Sequence, residues 1–344
     1  MSSEPTTDAT DATDATDAGP RPDAGPSSGD APAADARTQP APPAPVAHPT
    51  ARLALGTVVF GALFVATYAL FVLTVAGQQL ENLGLEGSAL RGQPSRADSL
   101  LGLGSISVVS FAVAIAALAG VALLQRRPAL AIAVVATMGG AAVLAEVLKE
   151  VLPRPEHIDG PAWLLRNSFP SGHATVAAAI GAGLLMVAPA RLRWLALPVA
   201  AIGAAVIGQA TQIAGWHRAS DAIGAVFLAL STGAGTLAVL AWRGMVAPEE
   251  RGRVHRRVHL ALLVLGLLIV ALAALLLLLP LLFPLLRAPN GAEGVFIHLG
   301  TGLAGIGITV FAMEAFGRLL EPLSLGTREA PPPAAAERLE AGAG

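Results

Sequence analysis

No cysteine occurs among the 344 residues, and a single lysine, Lys149, stands against 21 arginines. The first absence excludes disulfides, thiolate metal sites and a cysteine nucleophile. It also suits a site that faces an oxidising exterior. The second leaves no background of lysines from which Lys149 is a random draw. Charge of either sign is scarce, at 13% against 54% hydrophobic residues, and the mean hydropathy of +0.63 lies well outside soluble composition. The net charge of -2 carries little information, because acidic and basic residues are segregated along the chain. The alternating period of a membrane barrel is missing. The first 50 residues have no apolar run of the kind that forms the core of a cleavable signal peptide.

Those residues form a separate compositional region. Asp-Ala-Thr repeats start at Asp8, Asp-Ala-Gly-Pro recurs at Asp17 and Asp23, and prolines follow through Pro49. With nothing to bury, residues 1–50 are expected to be a disordered acidic, Pro/Ala-rich tail. From Leu53 onward, apolar stretches of the length that crosses a bilayer recur at about 53–75, 101–124, 129–151, 172–188, 194–214, 220–242, 258–283 and 295–316. Backbone groups in lipid must be satisfied internally, so the expected fold is all-α, a polytopic bundle of about eight transmembrane helices. Glycine and alanine in the third to sixth stretches predict an inner bundle, and the Leu-rich seventh predicts a lipid-facing helix that Pro280 and Pro284 bend or end.

Arginine placement predicts orientation. Arg126, Arg127, Arg191, Arg193, Arg243, Arg251, Arg253, Arg256 and Arg257 follow the second, fourth and sixth stretches and fall on one side, which the positive-inside rule makes cytoplasmic. Both termini are then cytoplasmic. Lys149, at the end of the third stretch, His173, at the start of the fourth, and His217, before the sixth, all reach the external face.

The chemistry-bearing residues cluster there. An ionisable group at the centre of a membrane helix costs roughly 2.5–3.5 kcal/mol, but a lysine at the boundary snorkels to water, so an anchor paired with Glu146 or Glu150 is the ordinary reading of Lys149. Arg154 lies between Pro153 and Pro155, which stop the helix. Pro170-Ser171-Gly172-His173 opens the fourth stretch. Ser171 is a candidate cap, and a helix N-terminus offers free N–H groups and partial positive charge to a phosphate. Gly172 allows close backbone approach, and His173 stands in the first turn. His217 and Asp221 are four apart, a spacing that lets a carboxylate fix one imidazole nitrogen and leave the other for attack or proton transfer. Each of these also has a bland reading as a cap, loop or boundary residue.

Taken together, the order and spacing resemble the type 2 phosphatidic acid phosphatase superfamily, the membrane relatives of vanadium haloperoxidases. Its three signatures are a Lys followed by Arg-Pro, a Pro-Ser-Gly-His, and an Arg followed by His-x-x-x-Asp. The second is complete at 170–173, and the His-Asp half of the third is His217 and Asp221. Four residues rather than six separate Lys149 from Arg154. Ala210-Thr211 stands where Ser-Arg is usual, so one arginine is missing, and Arg218 or Arg166 is the expected substitute. The resemblance covers about residues 130–240.

The resemblance implies a metal-independent hydrolase without cofactor, in which His217 attacks phosphorus and Asp221 orients it. His173 would protonate the leaving oxygen, while Lys149, Arg154, Ser171 and Gly172 hold the phosphoryl oxygens. Undecaprenyl diphosphate, phosphatidic acid and phosphatidylglycerol phosphate all fit as substrates, and no nucleic-acid partner is expected. The domain reading is a tail at 1–50, two helices in 51–125, a catalytic core at 126–243, two helices in 244–320 and a tail at 321–344, in the cell membrane. Oligomeric state stays open. The alternatives are a phosphotransferase on a lipid carrier, a degenerate lipid-binding or transport protein, and a metal hydrolase using His157, His173, His217 and Asp221. Glu314 and Arg318 are expected to form a surface pair, and His298 to be structural.

Overall fold

The computed structural model describes residues 49–89, 103–104, 107–158, 165–248, 255–287, 292–321 and 323–326. These contain nine α-helices. They are α1 (Pro49–Thr67, continued by a π-helical turn Tyr68–Val72), α2 (Val75–Ala89), α3 (Val108–Leu124), α4 (Pro128–Val151), α5 (Gly172–Val187), α6 (Arg193–Ile213), α7 (Ala219–Trp242), α8 (His255–Leu282) and α9 (Glu293–Leu320). A short antiparallel pair, β1 (Val246–Pro248) and β2 (Leu323–Leu325), joins the chain after α7 to the chain after α9. The strand β2 falls within the segment expected to be a tail. The expected N-terminal tail lies outside the described residues up to 48.

Local sequence explains the helix limits. Ser107 and Ser110 satisfy each other's backbone N–H groups at the start of α3, a reciprocal cap. Pro128 occupies the first turn of α4, where its missing N–H is harmless. Beyond Val151 the chain turns extended at Leu152, ahead of Pro153 and Pro155. Helix α8 runs through Pro280 and ends before Pro284, which opens a 3₁₀ turn to Arg287.

All eight apolar stretches are helical, as an all-α membrane bundle requires. Six of them, α1 with its π turn, α4, α6, α7, α8 and α9, are long and apolar enough to cross a membrane. The other two correct the expected eight: α3 has 17 residues and α5 has 16, so each is about 25 Å long against a hydrocarbon core of about 30 Å. Helix α5 begins at the candidate site.

The hub is α7, whose apolar span is 67% buried, packed against α1, α4, α5 and α9. Helix α8 is 17% buried and leans only on α9 and the edge of α6 among the long helices, as its leucines predicted. The last helix corrects the expected inner bundle. Its glycine-containing face packs on α2, α6, α7 and α8, and half of its span is buried. The polar segment after Gly77 continues α2 as far as Ala89, and Gln78, Glu81 and Asn82 on one face of that helix are buried.

Candidate active site

One end of the bundle collects the C-terminus of α4, the N-termini of α5 and α7, and α2. Helix α6 ends with Gly215 at φ +74°, where glycine avoids the Cβ clash. The Trp216 N–H then reaches the Thr211 carbonyl at 3.1 Å and the Gly215 N–H reaches Gln212 at 3.0 Å, the paired bonds of a Schellman motif. This turn delivers Trp216 and His217. Thr211 is buried and occupies the position of the missing signature arginine.

His217 and Asp221 meet as their spacing predicted. The imidazole Nδ1 donates to Asp221 Oδ2 across 3.3 Å, because an ionised carboxylate only accepts. The same oxygen takes the Ser168 hydroxyl at 2.6 Å and the Arg218 N–H at 2.9 Å. Asp221 is fully buried, so these bonds hold both its charge and the ring's tautomer.

The turn before α5 is anchored by Phe169. Its ring stacks against Phe64 and Tyr68 with centroids 5.1 and 5.5 Å away, and presses on Gly224, where a Cβ would lie 2.4 Å from it. Asn167 donates to the carbonyls of Lys149 and Leu152 at 3.1 and 3.0 Å, tying that turn to the end of α4. Ser171 caps α5 by accepting the Ala174 N–H at 3.4 Å, and its own N–H donates to the Asp221 carbonyl at 3.0 Å.

Lys149 forms an ion pair with Glu146 at 2.8 Å, the anchor that its boundary position predicted. The pair lies directly over the α5 N-terminus. A Cβ on Gly172 would stand 2.8 Å from Glu146 Oε1 and 3.7 Å from Lys149 Nζ. The lysine therefore faces the free amides of α5 across the space that glycine leaves open. Lys149, Glu146, Gly172, His173, Trp216 and His217 line a cavity of about 790 Å³, together with the apolar Val108, Phe111, Ala142, Val143, Val147 and Val176. His173 sits against Trp216 with ring centroids 5.5 Å apart.

Arg154 is the unusual cation. Both of its terminal nitrogens are buried and have no hydrogen-bond partner among the described residues. Its pKa is lowered, first by burial and then by the neighbouring Arg218. A buried guanidinium with open donors is costly unless an anion completes it. The other arginines correct the expectation for a substitute. Arg218 is 3% exposed; its guanidinium donates to Asn82 Oδ1 from Nε and Nη2 at 3.2 and 3.1 Å, and to Ser168 from Nη1 at 3.1 Å. It stands behind Asp221 and, like Arg154, does not line the cavity; its donors, unlike those of Arg154, are engaged by Asn82 and Ser168. Arg166 is exposed and does not line it either.

Helix α2 supplies residues that the sequence reading missed. Gln78 donates to the carbonyls of Val72 and Pro155 at 2.8 and 2.7 Å. Glu81 accepts the Ser220 N–H at 2.9 Å, and burial, reinforced by Asp221, pushes its carboxyl up to about 7. The signal available was their spacing at i, i+3 and i+4, one face of a helix. His157 turns away, its Nε2 3.0 Å from the Leu73 carbonyl. Among the described residues, no three His, Asp or Glu side chains are grouped to hold a metal ion.

Residues 105–245 match the model of the PAP2 superfamily. This segment runs from just before α3 to the threshold of β1 and is similar to the type 2 phosphatidic acid phosphatase superfamily. With its apolar helices, the match supports a membrane phosphatase, since that superfamily hydrolyses phosphate esters. Neither a curated protein nor a solved structure matches the chain.

Proposed function

We propose that the protein is an integral-membrane phosphatase that hydrolyses a lipid phosphate or diphosphate at the outer face of the cell membrane. The observation that carries this reading is the composition of the 790 Å³ cavity, in which the Lys149–Glu146 pair and the His173 and His217 imidazoles meet apolar side chains of α3, α4 and α5. That pairing suits an amphiphile whose headgroup meets Lys149 and His217 while its chain lies along Phe111, Val143 and Val147. Undecaprenyl diphosphate, phosphatidic acid and phosphatidylglycerol phosphate share that chemistry.

In this mechanism, His217 Nε2 attacks phosphorus and the phosphorus–oxygen bond to the lipid breaks. Asp221 holds Nδ1–H and stabilises the ring's developing charge. His173 gives its proton to the leaving oxygen and then takes one from water. That water attacks the phosphohistidine, the phosphorus–nitrogen bond breaks, and inorganic phosphate leaves. Lys149, Arg154 and the Gly172 amide stabilise charge on the phosphoryl oxygens. The open donors of Arg154 support a phosphate ligand, and Ser171 contributes chiefly by capping α5.

The test is phosphate release from a panel of lipid phosphates by purified protein, with His217→Ala as control. Release by the native protein and none by the variant is expected. Equal release by both would defeat the assignment. A phosphotransferase would release little phosphate until an acceptor alcohol is added.

A further inference from the structure

The catalytic dyad straddles the start of helix α7, with His217 just before it and Asp221 in its first turn, and its N-cap residue is the wrong kind for the position. Arg218 has five donors and no acceptor, so its side chain cannot take up a terminal N–H of α7 as a serine or aspartate would. Asp221, three residues on, accepts the Arg218 N–H. The N–H of Ser220 is accepted from outside the helix, by Glu81 Oε1 of α2 at 2.9 Å. The adjacent Asn82 takes two N–H bonds from the Arg218 guanidinium, whose third bond fixes Ser168, itself a donor to Asp221. Two consecutive residues of α2 thus grip the backbone and the side chain that flank the dyad. Glu81 is 4% exposed and Asn82 7%, so water does not substitute for either. Both lie outside the segment that matches the family.

We infer that Glu81 and Asn82 are positioning residues for catalysis: Glu81 is a cap for α7 supplied by another helix, and Asn82 is a clamp on Arg218. Together they fix His217 and Asp221 in the attacking geometry. Neither touches the cavity, so both act through α7. A displacement of about 1 Å at the reacting atoms is enough to slow a reaction about 100-fold.

This inference rests on the phosphatase reading, and the experiment separates the two. Full-length native protein, Glu81→Ala, Glu81→Gln and Asn82→Ala are reconstituted in lipid nanodiscs. Turnover of undecaprenyl diphosphate is measured below each melting temperature, and hydrogen exchange is followed in the peptide containing residues 216–221. We expect Glu81→Ala and Asn82→Ala to lower kcat by about 10- to 100-fold with KM within about threefold. Glu81→Gln, which keeps the accepting oxygen, recovers most of that loss. Exchange at 216–221 accelerates in both alanine variants and not in Glu81→Gln. Native kcat and native exchange in folded Glu81→Ala would overturn the inference, as would equal loss in Glu81→Gln. If the native protein hydrolyses no lipid phosphate, the functional reading fails, while the exchange comparison still decides whether α2 holds the dyad.

Discussion

Two buried polar clusters sit at opposite ends of this bundle, and they differ in how completely they close. At the end away from the site, His259 lies 3.1 Å from Glu314 and 3.7 Å from Glu321, Arg318 binds Glu314, and Arg193 donates to the carbonyls of Leu320 and Leu323, each at 2.7 Å. Charge meets charge or carbonyl, and the cluster ties α6, α8 and α9 to β2. At the site end, Arg154 Nη1 and Nη2, Asp221 Oδ1 and Glu81 Oε2 are buried without a hydrogen-bond partner among the described residues. Buried polar groups are normally satisfied, so an open set is where a ligand or water belongs. One cluster holds helices together, and the other is where the proposed phosphate would bind. The expected surface pair of Glu314 and Arg318 belongs to the first, with Glu314 3% exposed.

The sharpest break in that comparison is chemical. His217→Ala should lower kcat by about 10⁴-fold or more with an unchanged melting temperature, measured by phosphate release and thermal unfolding in the same detergent. Next, Arg154→Ala should lower kcat/KM by about 100- to 1,000-fold while holding or raising stability, because it removes a buried guanidinium whose terminal nitrogens make no hydrogen bond among the described residues. Glu314→Ala should do the reverse. Activity per folded molecule stays native and unfolding is eased by about 1–3 kcal/mol, since His259 loses its closest partner. A stable Glu314→Ala, or a destabilised Arg154→Ala with native turnover, would erase the distinction between the clusters.

A smaller effect concerns pH. Burial raises Glu81 from its ordinary 4.5 to about 7, with Asp221 adding to the rise and Ser220 and Arg218 opposing it. The folded protein therefore holds a proton between those values that the unfolded chain has lost. The stability from this proton is full below about 4.5 and disappears as pH rises through about 7. Arg154, which also faces Glu81, stays cationic throughout this range. Melting temperatures across that window should fall for the native protein and flatten in Glu81→Gln. The mildest prediction is Val143→Trp on the apolar wall. It should raise KM about tenfold for long-chain lipid phosphates and leave a short-chain soluble phosphate ester unaffected.

The long apolar helices and the Ser-Gly-His turn were legible because length, small-residue content and fixed motif order are local properties of sequence. The meeting of His217 with Asp221 followed from four-residue spacing alone. Burial of polar residues was not legible. Gln78, Glu81 and Asn82 read as an external polar stretch, since composition does not distinguish a polar face turned to water from one turned to Arg218 and Ser220. The same ambiguity made Arg218 a candidate phosphate ligand, and only its bonds to Asn82 and Ser168 reassign it. Arg154 shows the converse: an ordinary loop arginine by its own neighbours, made a phosphate ligand only by the resemblance, it is by burial a donor in need of an anion.

The central claim is that His217 bonds covalently to phosphorus. It is tested most directly by quenching the purified protein during turnover of lipid phosphate radiolabelled at phosphorus. The account predicts protein-bound label that is stable to base, labile to acid, recovered in the peptide containing His217 and absent from His217→Ala. Continued turnover with no label on the protein, or equal label on the variant, would contradict it.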